Sequence, residues 1–130
     1  MADAVDSLVV FNGKRKYVIR LTNVSDGTGE SAVVKVDKST LTGLNGLEPS
    51  KLIVEKIEGT CDGMMARLFW DHTTDDEIAF VGGQFCHDWT SAGGLVDPGS
   101  SGGTGDILLT TTGHTAGDSY CITLTLRKKD

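Results

Sequence analysis

The sequence predicts an all-β protein, a single antiparallel β-sandwich or jelly-roll-like domain of about eight or nine strands. Three observations predict it. Apolar and polar residues alternate with a period of two along most of the 130 residues, and no window of about 12 residues sustains an amphipathic helical stripe. The alternating runs recur at a spacing of about 8–12 residues, with turn-forming residues between them. Seventeen glycines against two prolines indicate many tight turns.

Nine runs carry the strand pattern. In chain order they are 7–11, 14–24, 31–37, 51–59, 64–71, 77–81, 84–89, 106–113 and 119–128. Asn12-Gly13 predicts a hairpin turn, and Asp62-Gly63 and Gly82-Gly83 predict turns between the later pairs of strands. The last run is the clearest, because Tyr120, Ile122, Leu124 and Leu126 share one face. The second run likewise places Tyr17, Ile19 and Leu21 on one face.

The connections between the runs show no domain boundary and no internal repeat. Residues 1–130 are therefore expected to form one domain. Residues 1–7 are expected to form an N-terminal arm, which becomes fixed on contact with neighbouring molecules. Residues 38–50, with two glycines and a proline, and residues 90–105 are expected to be irregular loops.

Charge and composition exclude several classes of function. A net charge of −6 argues against nucleic-acid binding, which depends on Lys and Arg neutralising phosphates. The basic clusters 14–16 and 127–129 are interpreted as solvated strand edges. No run approaches the roughly 20 apolar residues of a membrane span, and the acidic start does not resemble a secretion signal, so we expect a cytoplasmic origin. Three widely spaced cysteines, Cys61, Cys86 and Cys121, predict free thiols.

The glycine-rich segment 97–106, DPGSSGGTGD, raises the question of catalysis. A phosphate-binding loop would need a lysine and a following helix, but the segment has no lysine and precedes a strand. Gly-x-Ser-x-Gly at 99–103 places Ser101 before Asp106 and His114, in the order of a hydrolase triad. That mechanism needs the serine on a strand-to-helix turn, which nothing here predicts. We interpret the segment as a connection, and assign no catalytic residue.

Metal and cofactor sites are not predicted. Cys86, His87 and Asp88 are adjacent, but neighbours on a strand point to opposite faces. The segment 71–77, with Asp71, His72, Asp75 and Asp76, lacks the ligand spacing and the glycine of a calcium loop. We expect His72, His87 and His114 to be surface or edge residues.

The two tryptophans are expected to differ. Trp70 is in phase with Leu68 and Ala66, which favours the core. Trp89 lies beside a loop, so a place in the core or at a subunit interface is favoured over sugar stacking, which stays an alternative.

The second half of the chain resembles small virion proteins of tailed bacteriophages. The similarity lies in the strand 67–71 (RLFWD), in GGLVDP at 93–98, in SSGGTGDILLTT at 100–111 and in the ending GDSYCITLTLRKKD at 117–130. It covers roughly the last 80 residues, and more weakly the first 50.

The resemblance implies a non-enzymatic structural subunit of the virion, assembled in the host cytoplasm. Within that group it implies a capsid decoration or cement protein that binds the major capsid protein and stabilises its lattice. A homo-oligomer is expected, with a trimer favoured, and no cofactor, nucleic acid or membrane as partner. A tail or neck component, or a glycan-binding β-sandwich module, is the alternative. The expected contact regions are the N-terminal segment, the loops 38–50 and 90–105, and Trp89.

Overall fold

A computed structural model describes residues 4–27, 29–43, 46–97, 103–113 and 115–129. The described chain is almost entirely β-structure, as the sequence predicts, and its eight strands all pair antiparallel within one curled sheet. The strands are β1 (Ala4–Asn12), β2 (Lys16–Val24), β3 (Val33–Val36), β4 (Lys51–Trp70), β5 (Asp76–Asp88), β6 (Leu95–Val96), β7 (Ile107–Thr112) and β8 (Ser119–Lys129). Two short 3-10 turns, Lys38–Thr40 and Thr90–Ala92, lie in the loops.

The order of strands in the sheet is β1-β2-β8-β4-β7-β3, and β5 and β6 pair with the other edge of β4. Strand β4 is the centre of the fold because it is 20 residues long. Its first part, from Lys51 to Asp62, pairs with β8, and its last part, from Met65 to Trp70, pairs with β7. Strands β8 and β7 therefore lie one after the other along a single edge of β4.

Two irregularities in β4 shift which residues face the core. The pairing with β8 shifts between Val54 and Lys56, and the pairing with β5 shifts between Cys61 and Met65. An extra residue at a bulge reverses the alternation of a strand. The positions of β4 that belong to the hydrophobic core accordingly change phase at each irregularity. In order they are Leu52 and Val54, then Ile57 and Cys61, then Met64, Ala66, Leu68 and Trp70.

Two predicted hairpins are therefore wrong. Residues 51–59 and 64–71 belong to one strand, because Asp62-Gly63 lies at the irregularity in β4 and makes no turn. Residues 77–81 and 84–89 likewise belong to β5, which runs through Gly82-Gly83 to Asp88. The sequence also missed β6, a two-residue strand within the loop 90–105 that pairs with Ile53 and Val54.

The core lies inside the curl of the sheet. The predicted inward face of β8 is confirmed, since Tyr120, Ile122, Leu124 and Leu126 are all at most 3% exposed. The inward face of β2 is confirmed in the same way by Tyr17, Ile19 and Leu21, and Trp70 is buried as expected. Burial of these side chains, each worth about 1.5–3 kcal/mol, is the main source of stability.

Candidate functional site

The two loops that the sequence singled out meet beside one cleft. It has a volume of about 340 Å³. Its lining combines residues from both loops, from the start of β4 and from the turn after it. They are Lys38, Ser50, Lys51, His72, Asp97, Gly103, Thr104 and Gly105. We call this group the loop cleft; it is the concave polar surface that the regions 38–50 and 90–105 form together.

Lys38 holds one wall of the loop cleft in place. Its backbone N donates to Asp106 Oδ1 over 2.8 Å, and its Nζ donates to Glu48 Oε1 over 2.8 Å and to the Pro49 carbonyl over 3.0 Å. Burial raises the pKa of Asp106, and the negative charge of Asp37 raises it further against the opposing hydrogen bond from Lys38. The ammonium of Lys38 is thus bound within its own loop. The side chain of Lys51, the other lysine of the loop cleft, makes no ion pair or hydrogen bond with the described residues.

His72 forms the floor of the loop cleft, and its expected place on the surface is wrong. Its side chain is 1% exposed, and its Nε2 lies 2.6 Å from Asp97 Oδ1 and 3.5 Å from Asp76 Oδ2. The backbone N of His72 donates to Asp75 Oδ1 over 3.0 Å. The chain turns back directly after the buried Trp70, and this turn carries the imidazole inward. Asp97 is 25 residues away, so no local pattern could have revealed the pair.

Hydrogen bonds connect the turn that contains His72 to the segment before β7. Asp71 N donates to the Asp106 carbonyl over 3.0 Å, Thr104 N donates to the Asp71 carbonyl over 3.1 Å, and Thr104 Oγ1 donates to Asp71 Oδ2 over 2.9 Å. The bond from Thr104 Oγ1 occupies Asp71, one of the acidic residues that were considered as metal ligands. Within the described ranges, no group of three His, Cys, Asp or Glu residues could hold a metal ion.

The triad hypothesis can be followed only in part. Ser101 and His114 lie outside the described residues, whereas Asp106 accepts the hydrogen bond from Lys38. The segment leads directly into β7, a strand, which is the feature that the sequence argument used against both a phosphate-binding loop and a nucleophile elbow.

Three aromatic rings, those of Phe85, His87 and Trp89, follow one another along one face of β5 and the residue directly after it. The ring centroids of Phe85 and His87 are 6.2 Å apart, those of His87 and Trp89 are 5.7 Å apart, and the planes lie within 20° of parallel. Phe85 and Trp89 are partly buried against the core, while His87 is exposed as expected. Because His87 covers one face of the indole, that face is closed to a stacking sugar. Cys86 is exposed on the opposite face of the strand.

The basic ends of β2 and β8 are only partly the solvated edges that we expected. Lys14 and Arg15 are exposed, but Lys128 is buried because it continues the inward face of β8. Its Nζ donates to Asn12 Oδ1 over 2.7 Å, to the Gly13 carbonyl over 2.7 Å and to the Thr42 carbonyl over 2.9 Å. Burial lowers the pKa of Lys128. The ammonium therefore ties the β1–β2 turn to the loop 38–50.

The N-terminal segment is not a separate arm in its described part. Residues 4–7 belong to β1, where Ala4 pairs with Val24 and Ser7 with Leu21. Residues 5–12 of β1 are nevertheless exposed, on both faces of the sheet. The large apolar ones are Val5, Leu8, Val9, Val10 and Phe11, which are 44–57% exposed.

A second cleft, of about 630 Å³, opens where β4 changes phase. Its lining is apolar and rich in glycine and methionine. It consists of Cys61, Gly63, Met64, Met65, Gly82, Gly83, Thr112 and Gly113. Burial raises the pKa of the Cys61 thiol to about 11, so the thiol is protonated and unreactive at neutral pH. The only signal of this cleft in the sequence is the set of glycines that we interpreted as turns.

Comparison with known proteins gives no family for the chain. A scan against protein-family models found no match, and a search of curated proteins found no significant match. Within the described residues, no helix is long and apolar enough to cross a membrane.

Proposed function

We propose that the protein is a non-enzymatic structural protein of a tailed-bacteriophage virion, and that it acts as a capsid decoration or cement protein. Its partner would be the major capsid protein, whose lattice it would bind and stabilise after assembly in the host cytoplasm. The resemblance of residues 67–71, 93–98 and 117–130 to such virion proteins motivates the proposal. The observation that carries it furthest is the loop cleft, where both loops that were expected to contact the capsid meet beside the half-buried Trp89.

The capsid contact is assigned to the loop cleft and to Trp89 beside it. Both expected contact loops line the cleft, and the ammonium of Lys51 gives it a group that can donate hydrogen bonds to a partner. Trp89 is half-buried beside the same loop, and aromatic residues at such positions contribute strongly to interfaces. The backbone bond from Trp89 N to the Glu55 carbonyl, 2.8 Å, holds that loop against β4, and the bond from Gly94 N to the Trp89 carbonyl, 2.9 Å, closes the loop on itself.

The mechanism would be multivalent clamping by a homo-oligomer. Each contact would be modest, but an oligomer that engages several capsid subunits at once raises the overall affinity without new contacts. A trimer is the form that the resemblance favours, and it remains part of this proposal. A net charge of −6 disfavours binding to packaged DNA, which agrees with a position on the outer face of the shell.

The experiment is co-sedimentation of the purified protein with empty phage capsids, with separated tails as a second target. Binding to capsids at a fixed ratio is expected. Lys51→Glu should lower the occupancy severalfold, whereas Lys56→Glu, on the same strand but outside the loop cleft, should leave it unchanged.

Binding to tails alone would replace the capsid with a tail or neck position. Binding to neither particle would overturn the proposal. Quenching of Trp89 fluorescence by a sugar would then favour the glycan-binding module.

A further inference from the structure

Strand β1 is an edge of the sheet. It pairs with β2 along one side, from Ala4 to Asn12, and no strand among the described residues pairs with its other side. In an antiparallel pair, alternate residues direct both N–H and C=O towards the neighbour, so about half of these groups in β1 point outward. Such an edge is a template for one further strand.

The apolar side chains of β1 are uncovered on both faces. On the inner face, Val9 lies opposite the buried Ile19, yet Val9 is 46% exposed. On the outer face, Leu8 is 49% exposed opposite Arg20, and Phe11 is 55% exposed. The strand thus projects beyond the core. Edge strands are usually protected by charges, proline or a bulge. Residues 8–11 contain no charge and no proline, and the register shift between Val9 and Phe11 leaves Ala4–Val9 as the regular part of the edge.

The charges at the two ends of β1 have opposite signs. Asp6 is exposed near the start of the strand, and Lys14 and Arg15 are exposed just after its end. A parallel pair of two such strands would place like charges together. An antiparallel pair would place Asp6 of each strand towards the basic residues of the other. Charges of this kind contribute little affinity, but they select the orientation of a contact.

We propose that β1 pairs with β1 of a second copy of this chain, antiparallel about a two-fold axis near Leu8 and Val9. The pairing would satisfy the outward backbone groups, continue the sheet across two protomers and cover apolar side chains on both faces. A two-fold contact between like surfaces closes on itself, so it makes dimers of single chains, or pairs of larger rings. The inference goes beyond capsid binding and does not depend on it.

The test is the mass of the purified protein by light scattering, without capsids. An even multiple of the 13.8 kDa chain is expected, either a dimer of single chains or a hexamer made of two of the proposed trimers, and Leu8→Glu should halve it. Glu at position 8 can pair with Arg20 of its own strand pair, so the monomer is expected to stay folded, while two such carboxylates would meet across the axis. Val34→Glu is the matched control, because Val34 is 49% exposed like Leu8 but lies in β3, at the opposite end of the strand order from β1.

A series of charge reversals tests the antiparallel orientation of the two β1 strands. It also tests the proposal independently of Leu8→Glu, in case that variant misfolds. Asp6→Lys should weaken the association severalfold, and the combined variant Asp6→Lys, Lys14→Glu, Arg15→Glu should restore it. A monomer or an odd-numbered oligomer in the unmodified protein would overturn the proposal. So would a Leu8→Glu protein of unchanged mass, or a triple variant that associates no better than Asp6→Lys alone.

Discussion

The hydroxyl of Tyr120 donates a hydrogen bond to Glu30 Oε1 over 2.5 Å, and both residues are buried. Asn23 Nδ2 donates to the same oxygen over 2.6 Å, and Lys35 Nζ lies 2.5 Å from the other one. Glu30 N in turn donates to Thr111 Oγ1 over 2.9 Å. The carboxylate thus joins β2, β8 and β3 across the curl of the sheet, and the backbone of Glu30 adds a contact with β7. Burial raises the pKa of Tyr120, and its hydrogen bond to Glu30 raises it further.

Tyr120→Phe is expected to lower the free energy of unfolding by about 1–2 kcal/mol, because Glu30 loses a buried hydrogen-bond donor. Urea denaturation measures the change. Tyr17→Phe is the control, since the Tyr17 hydroxyl has no hydrogen-bond partner among the described residues; a change within about 0.5 kcal/mol is expected there. Equal changes in the two variants would contradict the role of the Glu30 network.

Gly59→Ala is expected to destabilise the protein by about 3 kcal/mol or more. Gly59 has φ +147°, and a Cβ built on it would lie 1.9 Å from the Cys121 carbonyl oxygen, on the paired strand β8. The backbones of β4 and β8 would have to separate, in addition to the cost of the unfavourable φ.

Gly83→Ala separates these two costs. Gly83 also has a positive φ, +64°, but a Cβ there would meet nothing within 4 Å. We expect a loss of about 1 kcal/mol, from the left-handed conformation alone. Thermal unfolding of Gly59→Ala and Gly83→Ala measures the stability that each variant loses. Similar losses would show that the close contact with Cys121 does not matter.

The sequence predicted the buried face of a strand correctly where apolar and polar residues alternate along it without interruption. Strand β8 keeps one phase from Tyr120 to Leu126, so its inward face could be predicted residue by residue. Strand β4 changes phase twice, and the change near Cys61 resembled the end of one strand and the start of another. A bulge and a tight turn both attract glycine, so the pattern cannot distinguish them without the partner strands.

The candidate site was predictable only as a pair of loops. Their glycines and proline marked 38–50 and 90–105 as irregular, and the structure brings both to one cleft. Two charged or polar residues that contact these loops, His72 and Lys128, were expected at the surface. Each is buried by partners distant in sequence: Asp97 for His72, and Asn12 with Thr42 for Lys128. Such contacts follow from topology, which periodicity does not specify.

Cys61 is expected to make stability depend on pH in the alkaline range. Burial raises the pKa of its thiol from 9.0 to about 11. The folded protein therefore holds this proton more tightly than the unfolded chain, and the resulting stabilisation, complete below about pH 9, is lost as the pH rises to about 11. Cys61→Ala should lose less stability than the unmodified protein over this interval, in urea denaturation at stepped pH. Cys121→Ala, at an exposed cysteine, should follow the unmodified protein, and a parallel course for Cys61→Ala would contradict the assignment.

Asp97→Ala is expected to lower the free energy of unfolding by about 1–3 kcal/mol and to loosen the turn 71–75. The substitution leaves the buried Nε2 of His72 without its nearest partner, and Asp76, at 3.5 Å, is too distant to replace it fully. Asp97→Asn keeps an oxygen within reach of Nε2, so its free energy of unfolding should lie between those of Asp97→Ala and the unmodified protein. The control is Asp62→Ala, at an exposed aspartate, with a change within about 0.5 kcal/mol. Faster hydrogen exchange of the backbone amides of 71–75 in Asp97→Ala alone would locate the loss of stability at the loop cleft. Equal exchange in all three variants would show that the His72–Asp97 pair does not hold this turn.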